Sequence, residues 1–544
     1  MNKDESRSEL KWVLAWAAAI VLLASIPYLW GVWIAPPGDS FLGLTHNIDD
    51  GAVYLSWMRQ VADGDLTYIN LFTNEPVKAH QFNVLFVLTG AVAGITHIPL
   101  IWVYHLFRVL LGVGVIVAVW QFSKLFLESA NERRLLIPLV SLTAGIGWLM
   151  PGLQAPTGPV DNWQPEAITF LSIYLNPLFL AALILMLGSF YFLVLSQRTG
   201  SVRHAICAGL SMLLLANIHT YDVVTVACVW TCYLIVLGIA ERKFPARLVG
   251  LSALAGVIAV PSIAYQLYLY RIDEVFRARA NSPIPSPPIY SFLAGYGLVL
   301  AGATVGATLL LARRRTSRDS PLSTLHSPLL LVWSILGFAL PYIPVAQQRK
   351  LVMGLHIPLC MLCAYALSNL MTRLPRSVGH GLLLAFILFS TGSNVGFLSQ
   401  DINLLSIGRT VTHYAPYLSD AEMAAMRYLR ADGDWHGTVL APPTFALFTP
   451  VLAGHRVYYG HWSETPDYAG KLREWGDFVD PSLPVDLRAS ILAGTGASYF
   501  VSTLPGTIPP TGALSRRMEP AFTDGPVTVY RIRPQASGSR GGSP

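Results

Sequence analysis

The amino-acid sequence predicts a polytopic α-helical membrane protein with a small C-terminal α/β domain outside the membrane. Apolar residues make up 53% of the 544 residues, charged residues only 12%, and the mean hydropathy is +0.50. A soluble domain usually carries about 25% charged residues. Apolar runs of about 20 residues, the length that crosses about 30 Å of hydrocarbon, recur until roughly residue 400 and then stop. The membrane part therefore precedes the C-terminal domain.

The first apolar run extends from Trp12 to about Ala35 and follows three cations, Lys3, Arg7 and Lys11. It is longer than the roughly 7–15-residue core of a cleaved signal peptide and ends without a clear cleavage site, so we expect an uncleaved first span. Later spans are expected near 99–122, 135–152, 169–196, 204–218, 221–240, 248–270, 290–312, 327–346, 351–371 and 380–398, which gives about eleven with the first.

The short apolar run at 81–97 decides the topology of everything that follows it. If it does not cross, the inner loops hold 17 lysines and arginines and the outer loops hold 7. If it crosses, every later loop changes sides and this bias reverses. Because cytoplasmic loops carry the excess of Lys and Arg, we expect 81–97 to be a juxtamembrane or re-entrant helix. The N-terminus is then cytoplasmic, in a bacterial inner or plasma membrane, and the C-terminal domain is extracytoplasmic.

The sequence after the last expected span is richer in Asp, Glu, Gly and Pro. Ser419 to Glu422 has the pattern of a helix start, and short β-like runs follow at 438–441, 498–502 and 527–532. We therefore expect a transmembrane domain over 1–398 with a first outer loop of interfacial helices at 36–98, an extracytoplasmic α/β domain over 399–534, and a disordered tail at 535–544.

Several classes of protein do not fit this sequence. The net charge of +6 comes from short cation clusters between apolar runs, where they set topology, so no nucleic acid partner is expected. All five cysteines lie in apolar segments, and Cys360-x-x-Cys363 has no second pair, which favours buried packing over a metal or redox site. No phosphate-binding loop, H-E-x-x-H or G-x-S-x-G motif is present.

Two adjacent acids, Asp49 and Asp50, are the most informative feature of the chain. Tyr54, Trp57, Met58 and Val61 follow them at the spacing of one helix face, so the acids lie at the N-terminus of a short interfacial helix. One acid alone suffices to cap a helix. The second favours a catalytic carboxylate at the bilayer surface.

The segment resembles the first outer loop of the GT-C superfamily of membrane glycosyltransferases, which includes protein O-mannosyltransferases and lipid A aminoarabinose transferases. The family loop begins with D-E-x-x-Y, continues as an interfacial helix and ends at a G-D or G-x-W stop. Asp50 precedes Tyr54 by four residues, as the first family acid precedes its tyrosine, and Gly64-Asp65 supply the stop. The second family acid aligns with Gly51, while the extra acid here is Asp49. This departure leaves open which of Asp49 and Asp50 is essential.

The resemblance implies a glycosyltransferase that moves a sugar from a polyprenyl-phosphate-linked donor to a hydroxyl of a glycan, lipid or protein acceptor. Asp50, with Asp49, is the expected catalytic base, and the expected outcome is inversion. The family layout also places an acid in the next outer loop, where Asp161 and Glu166 stand. A solvated loop is the alternative for both.

The remaining substrate-binding candidates are polar groups expected at the outer membrane face. His219 and Asp222 lie in a turn between two spans, and Tyr54 lies beside the acids. Fixed cations suit a leaving phosphate, and outer cations are few. The outer cations considered are Lys78, Arg271, Arg277, Arg279, Arg349 and Lys350, with Arg349-Lys350 the strongest pair. Anchoring to lipid headgroups is the alternative role for these cations.

A divalent metal ion, Mg²⁺ or Mn²⁺, is a candidate cofactor that the motifs do not establish. D-x-D occurs at 63–65 and 432–434, each time around a glycine turn. In the outer domain, residues 454–465 are rich in groups that stack on sugars, although packing into a small core explains them as well.

Two other functions remain open from the sequence. The first is a lipid or glycolipid transporter or flippase, although the chain lacks the internal repeats common in such proteins. The second is a non-catalytic envelope-assembly scaffold on a GT-C-like fold. This function stays open because Gly51 stands where the family has its second acid.

Overall fold

The computed structural model describes residues 3–153, 155–316, 327–408, 414–432, 437–504 and 512–533. The expected tail at 535–544 lies outside these residues, as does Asp434 of the second D-x-D. The membrane part is helical and contains these elements in chain order: α1 (Lys3–Leu23), α2 (Ile26–Trp33), α3 (Ile48–Ala62), α4 (Val84–Thr96), α5 (Leu100–Ser123), α6 (Ala130–Leu142), α7 (Thr169–Leu175), α8 (Pro177–Thr199), α9 (Val202–Ile218), α10 (Thr220–Glu241), α11 (Ala246–Ile272), α12 (Glu274–Asn281), α13 (Ile289–Thr316), α14 (Ser327–Ala339), α15 (His356–Met371), α16 (Arg376–Ser390) and α17 (Gly392–Ile407).

Eight helical segments among the described residues are long and apolar enough to cross a membrane, and they correspond to eight of the eleven expected spans. These segments are Glu5–Trp33, Leu100–Ser123, Pro177–Thr199, Thr220–Glu241, Ala246–Ile272, Ile289–Ala312, Gln348–Met371 and Arg376–Ile407. The spans expected near 135–152, 204–218 and 327–346 are occupied by the shorter helices α6, α9 and α14. The span expected at 169–196 is interrupted at Asn176, whose side chain accepts the N–H of Phe179 and caps α8.

The segment at 81–97 forms helix α4, which packs against α3 in the first outer loop. Its 13 residues span about 20 Å, less than the hydrocarbon thickness. The two helices approach closely: a Cβ on Gly94 would lie 2.8 Å from the carbonyl oxygen of Ala62. The side chain of Asn83 caps α4 by accepting the N–H of Leu85. These contacts tie α4 to the same outer layer as the acids of α3.

The C-terminal region is built around a mixed sheet. Its elements are β2 (Tyr417–Ser419), α18 (Asp420–Ala431), β3 (Thr438–Leu440), α19 (Pro443–Leu452), β4 (Arg456–Val457), α20 (Tyr468–Val479), α21 (Val485–Thr495), β5 (Tyr499–Ser502), α22 (Ala513–Arg517), β6 (Met518–Asp524) and β7 (Val527–Ile532). The strand order among the described residues is β4-β3-β5-β7-β6, with β3 parallel to β4 and β5, and β7 antiparallel to β5 and β6. The helix start predicted at Ser419 is a complete capping box with Glu422, and the three predicted strands are β3, β5 and β7.

The C-terminal region packs directly on the first outer loop. Strand β1 (Asp39–Phe41) of that loop pairs antiparallel with β2. Helix α19 lies against α3, and Nε of Arg59 donates a 2.9 Å hydrogen bond to the carbonyl of Val451. Side chains of α3, α4 and α19 share one hydrophobic cluster, in which Met58 and Phe445 are fully buried. The acids of α3 therefore lie where the membrane helices, the first outer loop and the C-terminal region meet.

Candidate functional site

Helix α3 places both acids in its first turn, at the wall of a cavity of about 640 Å³. The cavity combines carboxylates, cations, aromatic rings and apolar side chains from the membrane helices. Its lining includes His46, Asn47, Asp49, Asp50, Tyr54, Trp57, Trp163, Glu166, Leu178, Phe179, His219, Tyr221, Ile263, Leu267, Arg279, Arg349, Lys350, Trp462 and Glu464. The acids of the first outer loop and the Arg349-Lys350 pair therefore share one chamber.

The glycine at position 51 has a steric explanation. Gly51 is buried, and a Cβ there would lie 2.7 Å from the side chain of Leu44. A carboxylate at this position would have to displace Leu44. The position that aligns with the second family acid thus faces packed side chains, and the second acid of this chain, Asp49, stands on the cavity wall instead.

His461 of the C-terminal region faces the two acids. Its Nε2 lies 3.4 Å from Oδ1 of Asp50 and 3.7 Å from Oδ2 of Asp49. The imidazole is 1% exposed, whereas the Asp50 side chain is 45% exposed toward the cavity. The more exposed of the two acids thus lies against a buried ring.

The surroundings push the pKa values of the two acids in opposite directions. Burial by itself raises the pKa of Asp50, but the imidazole of His461 and the positive charges of Lys350 and Arg279 outweigh it and lower that pKa. Burial and the negative charge of Asp50 raise the pKa of Asp49. Two acids with opposite shifts suit separate roles, and Asp50 is the acid that is ionised over the wider pH range.

Arg349 and Lys350 lie in a 3₁₀ turn, Gln348–Val352, and are held by aromatic rings. The guanidinium carbon of Arg349 lies 5.0 Å from the ring centre of Trp163, and Nζ of Lys350 lies 5.2 Å from that of Tyr221. Nε of Arg349 is buried and has no hydrogen-bond partner within the described part of the chain. Both residues line the cavity, where their positive charges can act on an anion.

Arg279 of α12 is already paired. Its Nε lies 2.8 Å from Oε1 of Glu464, its Nη1 donates to Oε1 of Gln81, and its guanidinium lies 5.2 Å from the ring centre of Trp57. Arg279 thus joins the first outer loop, the α11–α13 loop and the C-terminal region at the cavity wall. Glu464 balances its charge there.

Three other predicted residues also line the cavity. Tyr54 stacks on Phe86 with ring centres 5.1 Å apart, and Glu166 is 8% exposed at the wall. His219 lines the chamber, and Asp222 supports it from behind, with Oδ2 3.0 Å from Nδ1 of the imidazole. Asp222 itself is buried and outside the lining.

Three predicted substrate-binding residues lie away from the chamber, and we leave them out of the site. The side chains of Lys78 and Arg271 are exposed outside the lining, and only the backbone N–H of Lys78 is engaged, by Asp273. Asp161 is buried and accepts the N–H groups of Gly145 and Gly147 at 2.9 and 3.1 Å. Burial raises the pKa of Asp161 to about 6. Its role is to close the turn after α6.

The predicted site set omitted His461 and Glu464, and it included Arg271 where Arg279 lines the chamber. The positions of His461, Glu464 and Arg279 all depend on the contact between the C-terminal region and the outer loops. No local sequence pattern encodes that contact. The available signal was the density of polar and aromatic groups at 454–465, read as core packing or acceptor binding. In the structure His461 and Glu464 are buried, as core packing predicts, whereas Trp462 is 43% exposed at the cavity.

The described residues do not fit a resident metal ion. No group of three or more His, Cys, Asp and Glu side chains in these ranges is arranged to hold one. Asp63 of the first D-x-D pairs with Arg430 at 2.6 Å, and Asp432 of the second pairs with Arg531 at 2.7 Å. These acids serve as ion-pair partners on the surface.

A larger cavity of about 790 Å³ lies among α8, α9, α10 and α11. Its lining is mostly apolar, with Arg242 and Lys243 among the few charged groups, and it contains no carboxylate. The smaller cavity is therefore the one equipped for chemistry.

Comparisons with known proteins identify the fold. No protein-family model matches the sequence, and no curated protein sequence matches it. Among solved structures, ArnT (aminoarabinose transferase) from Cupriavidus metallidurans bound to undecaprenyl phosphate is similar, with 15% identity, a TM-score of 0.54, and coverage of 95% of this chain and 98% of ArnT. Its apo form gives 15% identity, a TM-score of 0.53, and coverage of 95% and 97%. AglB, the oligosaccharyltransferase of Archaeoglobus fulgidus, in complex with an inhibitory peptide and a dolichol-phosphate, gives 11% identity, a TM-score of 0.50, and coverage of 89% and 69%.

Identities this low establish the fold alone. They confirm the architecture that the acidic loop, the apolar runs and the C-terminal strands predict. The chain is an integral membrane protein with the fold of the GT-C glycosyltransferases.

Proposed function

We propose that this protein transfers a sugar from a polyprenyl-phosphate-linked donor to an acceptor hydroxyl on the extracytoplasmic side of the membrane. The observation that carries the proposal is the shared chamber: a carboxylate pair on one wall and the cations Arg349 and Lys350 on another. The similar structures support it, since ArnT was solved with undecaprenyl phosphate and AglB with a dolichol-phosphate.

The donor is held by two kinds of contact. Its phosphate meets Arg349 and Lys350, two neighbouring cations in the lining of the chamber. Its polyprenyl chain follows the apolar wall formed by α8 and α11, through Phe179, Ile263 and Leu267. Leu267 is 59% exposed, as expected for a side chain that meets lipid at the mouth of the chamber.

The chemistry is a single displacement at the anomeric carbon. The carboxylate of Asp50 takes the proton of the acceptor hydroxyl as its oxygen attacks the face opposite the phosphate. The bond between the anomeric carbon and the phosphate oxygen breaks, and the electron pair leaves with the phosphate, where Arg349 and Lys350 stabilise the new charge. One displacement inverts the configuration. A positioned general base contributes typically about 10²–10⁴-fold in rate.

The acceptor is a glycan, lipid or protein hydroxyl that enters beside the C-terminal region. Trp462 and Ser463 of that region line the same chamber. The exposed indole of Trp462 provides a face on which a sugar ring can stack. Because the donor set does not fit a resident metal, no step depends on one.

Transfer by purified protein in proteoliposomes tests the function. With a radiolabelled polyprenyl-phosphate sugar and a hydroxyl acceptor, the wild-type protein is expected to form product and the Asp50→Asn variant to lose at least about 100-fold in kcat. Asp65→Asn is the matched control, because Asp65 is an exposed acid of the same loop outside the chamber. Full activity of Asp50→Asn would remove Asp50 from the role of base. Absence of transfer by the wild-type protein with every polyprenyl-phosphate sugar would exclude the reaction.

A further inference from the structure

We propose that His461 is a positioning residue for Asp50. The C-terminal region then completes the active site, because its imidazole orients the Asp50 carboxylate and favours the ionised form of that carboxylate. The inference rests on the proposed function, because it assigns His461 a task in that reaction. The inference goes beyond the proposed function, because it makes His461 of the extracytoplasmic region necessary for the acid pair of the first outer loop, which is distant in the sequence.

The first support is the geometry of the imidazole. His461 is 1% exposed, and its Nε2 faces the two acids at 3.4 and 3.7 Å. Within the described residues Nε2 has no other polar partner. A buried polar atom without a partner of its own is costly, so its orientation toward Asp49 and Asp50 calls for a function.

The second support is the tautomer. Nδ1 accepts the backbone N–H of Ser463 at 3.1 Å and that of Glu464 at 3.3 Å. A nitrogen that receives N–H groups cannot carry a proton of its own. The proton of the neutral ring is therefore on Nε2, the ring nitrogen that lies 3.4 and 3.7 Å from the two carboxylates. The turn after His461 thus fixes a hydrogen-bond donor toward the acids.

The third support is how firmly this turn is attached. The amide of Asn70 donates to the carbonyl of Glu464 at 2.7 Å, and the hydroxyl of Thr465 donates to the carbonyl of Phe72 at 2.6 Å. The Glu464 carboxylate holds Arg279 at 2.8 Å. One short segment therefore positions both the imidazole next to the acid pair and a cation of the cavity wall.

The consequence for Asp50 is electrostatic. Two adjacent carboxylates repel each other, and the donor from His461 offsets this repulsion at the oxygen nearest the ring. The charged groups that act on Asp50 are the neighbouring Asp49, His461 and, from the α11–α13 loop and the turn before α15, Arg279 and Lys350. Those that act on His461 are Asp49, Asp50 and Glu464. The carboxylates raise the pKa of His461, against burial, which alone lowers it.

Two substitutions separate this role from a structural one. His461→Asn places an oxygen near the position of Nδ1, so it keeps an acceptor for the N–H groups of Ser463 and Glu464 but has no atom at Nε2. His461→Gln reaches the position of Nε2 with an N–H donor. The Asn variant preserves the turn and removes the donor, whereas the Gln variant preserves the donor.

The experiment measures kcat, KM for the donor and the pH profile of transfer in proteoliposomes. His461→Asn is expected to lower kcat roughly 10- to 100-fold, the range for a lost hydrogen bond to a charged group, with KM unchanged. The acidic limb of the pH profile of this variant should move to higher pH. Losing the donor raises the pKa of Asp50, so the base becomes protonated at a higher pH. His461→Gln should recover most of the rate and the original limb. His455→Asn is the control: His455 is another buried histidine, bonded to the carbonyls of Gly437 and Leu429 outside the chamber, and its loss should leave the limb in place.

The outcomes that overturn the inference are distinct from failure of the proposed function. A wild-type kcat and pH profile in His461→Asn would overturn it, and so would equal losses in the Asn and Gln variants with the limb unmoved. In the Asp50→Asn background, His461→Asn should cost nothing further, and an additive loss would also contradict it. If His461→Asn does not fold, a loss above about 10-fold in a folded His461→Gln decides against it. An inactive wild type would instead refute the function, whereas a fully active Asp50→Asn would leave the transfer reaction standing and remove both Asp50 and His461 from their proposed roles.

Discussion

Nε of Arg279 lies 2.8 Å from Oε1 of Glu464, so the charge of this cavity cation is balanced by the C-terminal region. Arg349 and Lys350 differ: no carboxylate lies within ion-pair distance of either one in the described ranges, and aromatic rings hold them instead. A phosphate therefore gains most from these two cations. This difference gives the cations of the outer face separate roles and makes the phosphate site testable.

The Arg349→Gln and Lys350→Gln substitutions are each expected to raise KM for the lipid donor by roughly 10- to 100-fold, because each removes a charge-assisted hydrogen bond to phosphate. Arg271→Gln is the matched control, since Arg271 is exposed outside the chamber. Steady-state kinetics with varied donor in mixed micelles measures the change. An unchanged KM in both variants, or an equal rise in the control, would show that the phosphate binds elsewhere in the protein.

The two acids should differ in how much activity they carry. Asp50→Asn removes the base and is expected to lower kcat by about 10²–10⁴-fold. Asp49→Asn should cost less, about 10-fold, because the Asp49 side chain is 22% exposed against 45% for Asp50 and its loss relieves repulsion on Asp50. Single-turnover rates at saturating donor compare the two directly. A larger loss in Asp49→Asn than in Asp50→Asn would reverse the assignment.

The features that the sequence predicts correctly are those with a local cause. Apolar runs long enough to cross a bilayer locate the spans, and the spacing of Tyr54, Trp57 and Val61 locates α3 with its acids in the first turn. Short β-like runs separated by Pro and Gly locate β3, β5 and β7. In each case a short segment must satisfy its own backbone and its own burial, so its residues carry the information.

The parts that could not be predicted depend on contacts between distant segments. His461 meets Asp50 only because α19 packs on α3 and because the turn at 461–465 is hydrogen-bonded to Asn70 and Phe72. Arg271 and Arg279 are equivalent in the sequence, yet only Arg279 is drawn in by Glu464. Asp161 looks like an exposed loop acid, but the N–H groups of Gly145 and Gly147 hold it inside a turn. Such choices are made by tertiary packing.

The pH dependence of transfer follows from the lowered pKa of Asp50. A base works only when deprotonated, so activity is retained above the pKa of Asp50 and is lost as the pH falls through it. An ordinary aspartate titrates near pH 3.9, so the acidic limb of kcat is expected below about pH 4. Stopped assays from neutral pH down to below about pH 4, after checking that the protein stays folded, measure it. A limb near pH 6 would instead match Asp161, whose pKa burial raises to about 6.

A buried ion pair near the N-terminus should govern stability rather than activity. Arg133 contacts both carboxylate oxygens of Glu9, at 2.9 and 3.0 Å, and the indole of Trp120 donates to the same carboxylate at 2.7 Å. Both charged side chains are almost fully buried. Glu9→Gln leaves the guanidinium without its counter-charge, which typically costs about 3–5 kcal/mol.

The expected result is a clearly lower melting temperature in detergent, with kcat per folded molecule unchanged because the pair lies outside the chamber. Glu5→Gln is the control: Glu5 is exposed on the same helix, and its substitution should leave the melting temperature in place. Equal melting temperatures for Glu9→Gln and the wild type would show that the pair contributes little.

The orientation of the chain is tested by cysteine labelling, because transfer outside the cell requires the C-terminal region and the α10–α11 loop to lie on opposite sides. In a background without the five native cysteines, Ser482→Cys presents an exposed thiol in the C-terminal region, and Lys243→Cys presents one in the loop between α10 and α11. A membrane-impermeant maleimide added to intact spheroplasts is expected to label position 482 and to reach position 243 only after lysis. The cation bias of the loops supports this arrangement. Labelling of position 243 from outside would place the chamber of Asp50, Arg349 and Lys350 on the cytoplasmic side, where the acceptor and the sugar donor would both have to be cytoplasmic.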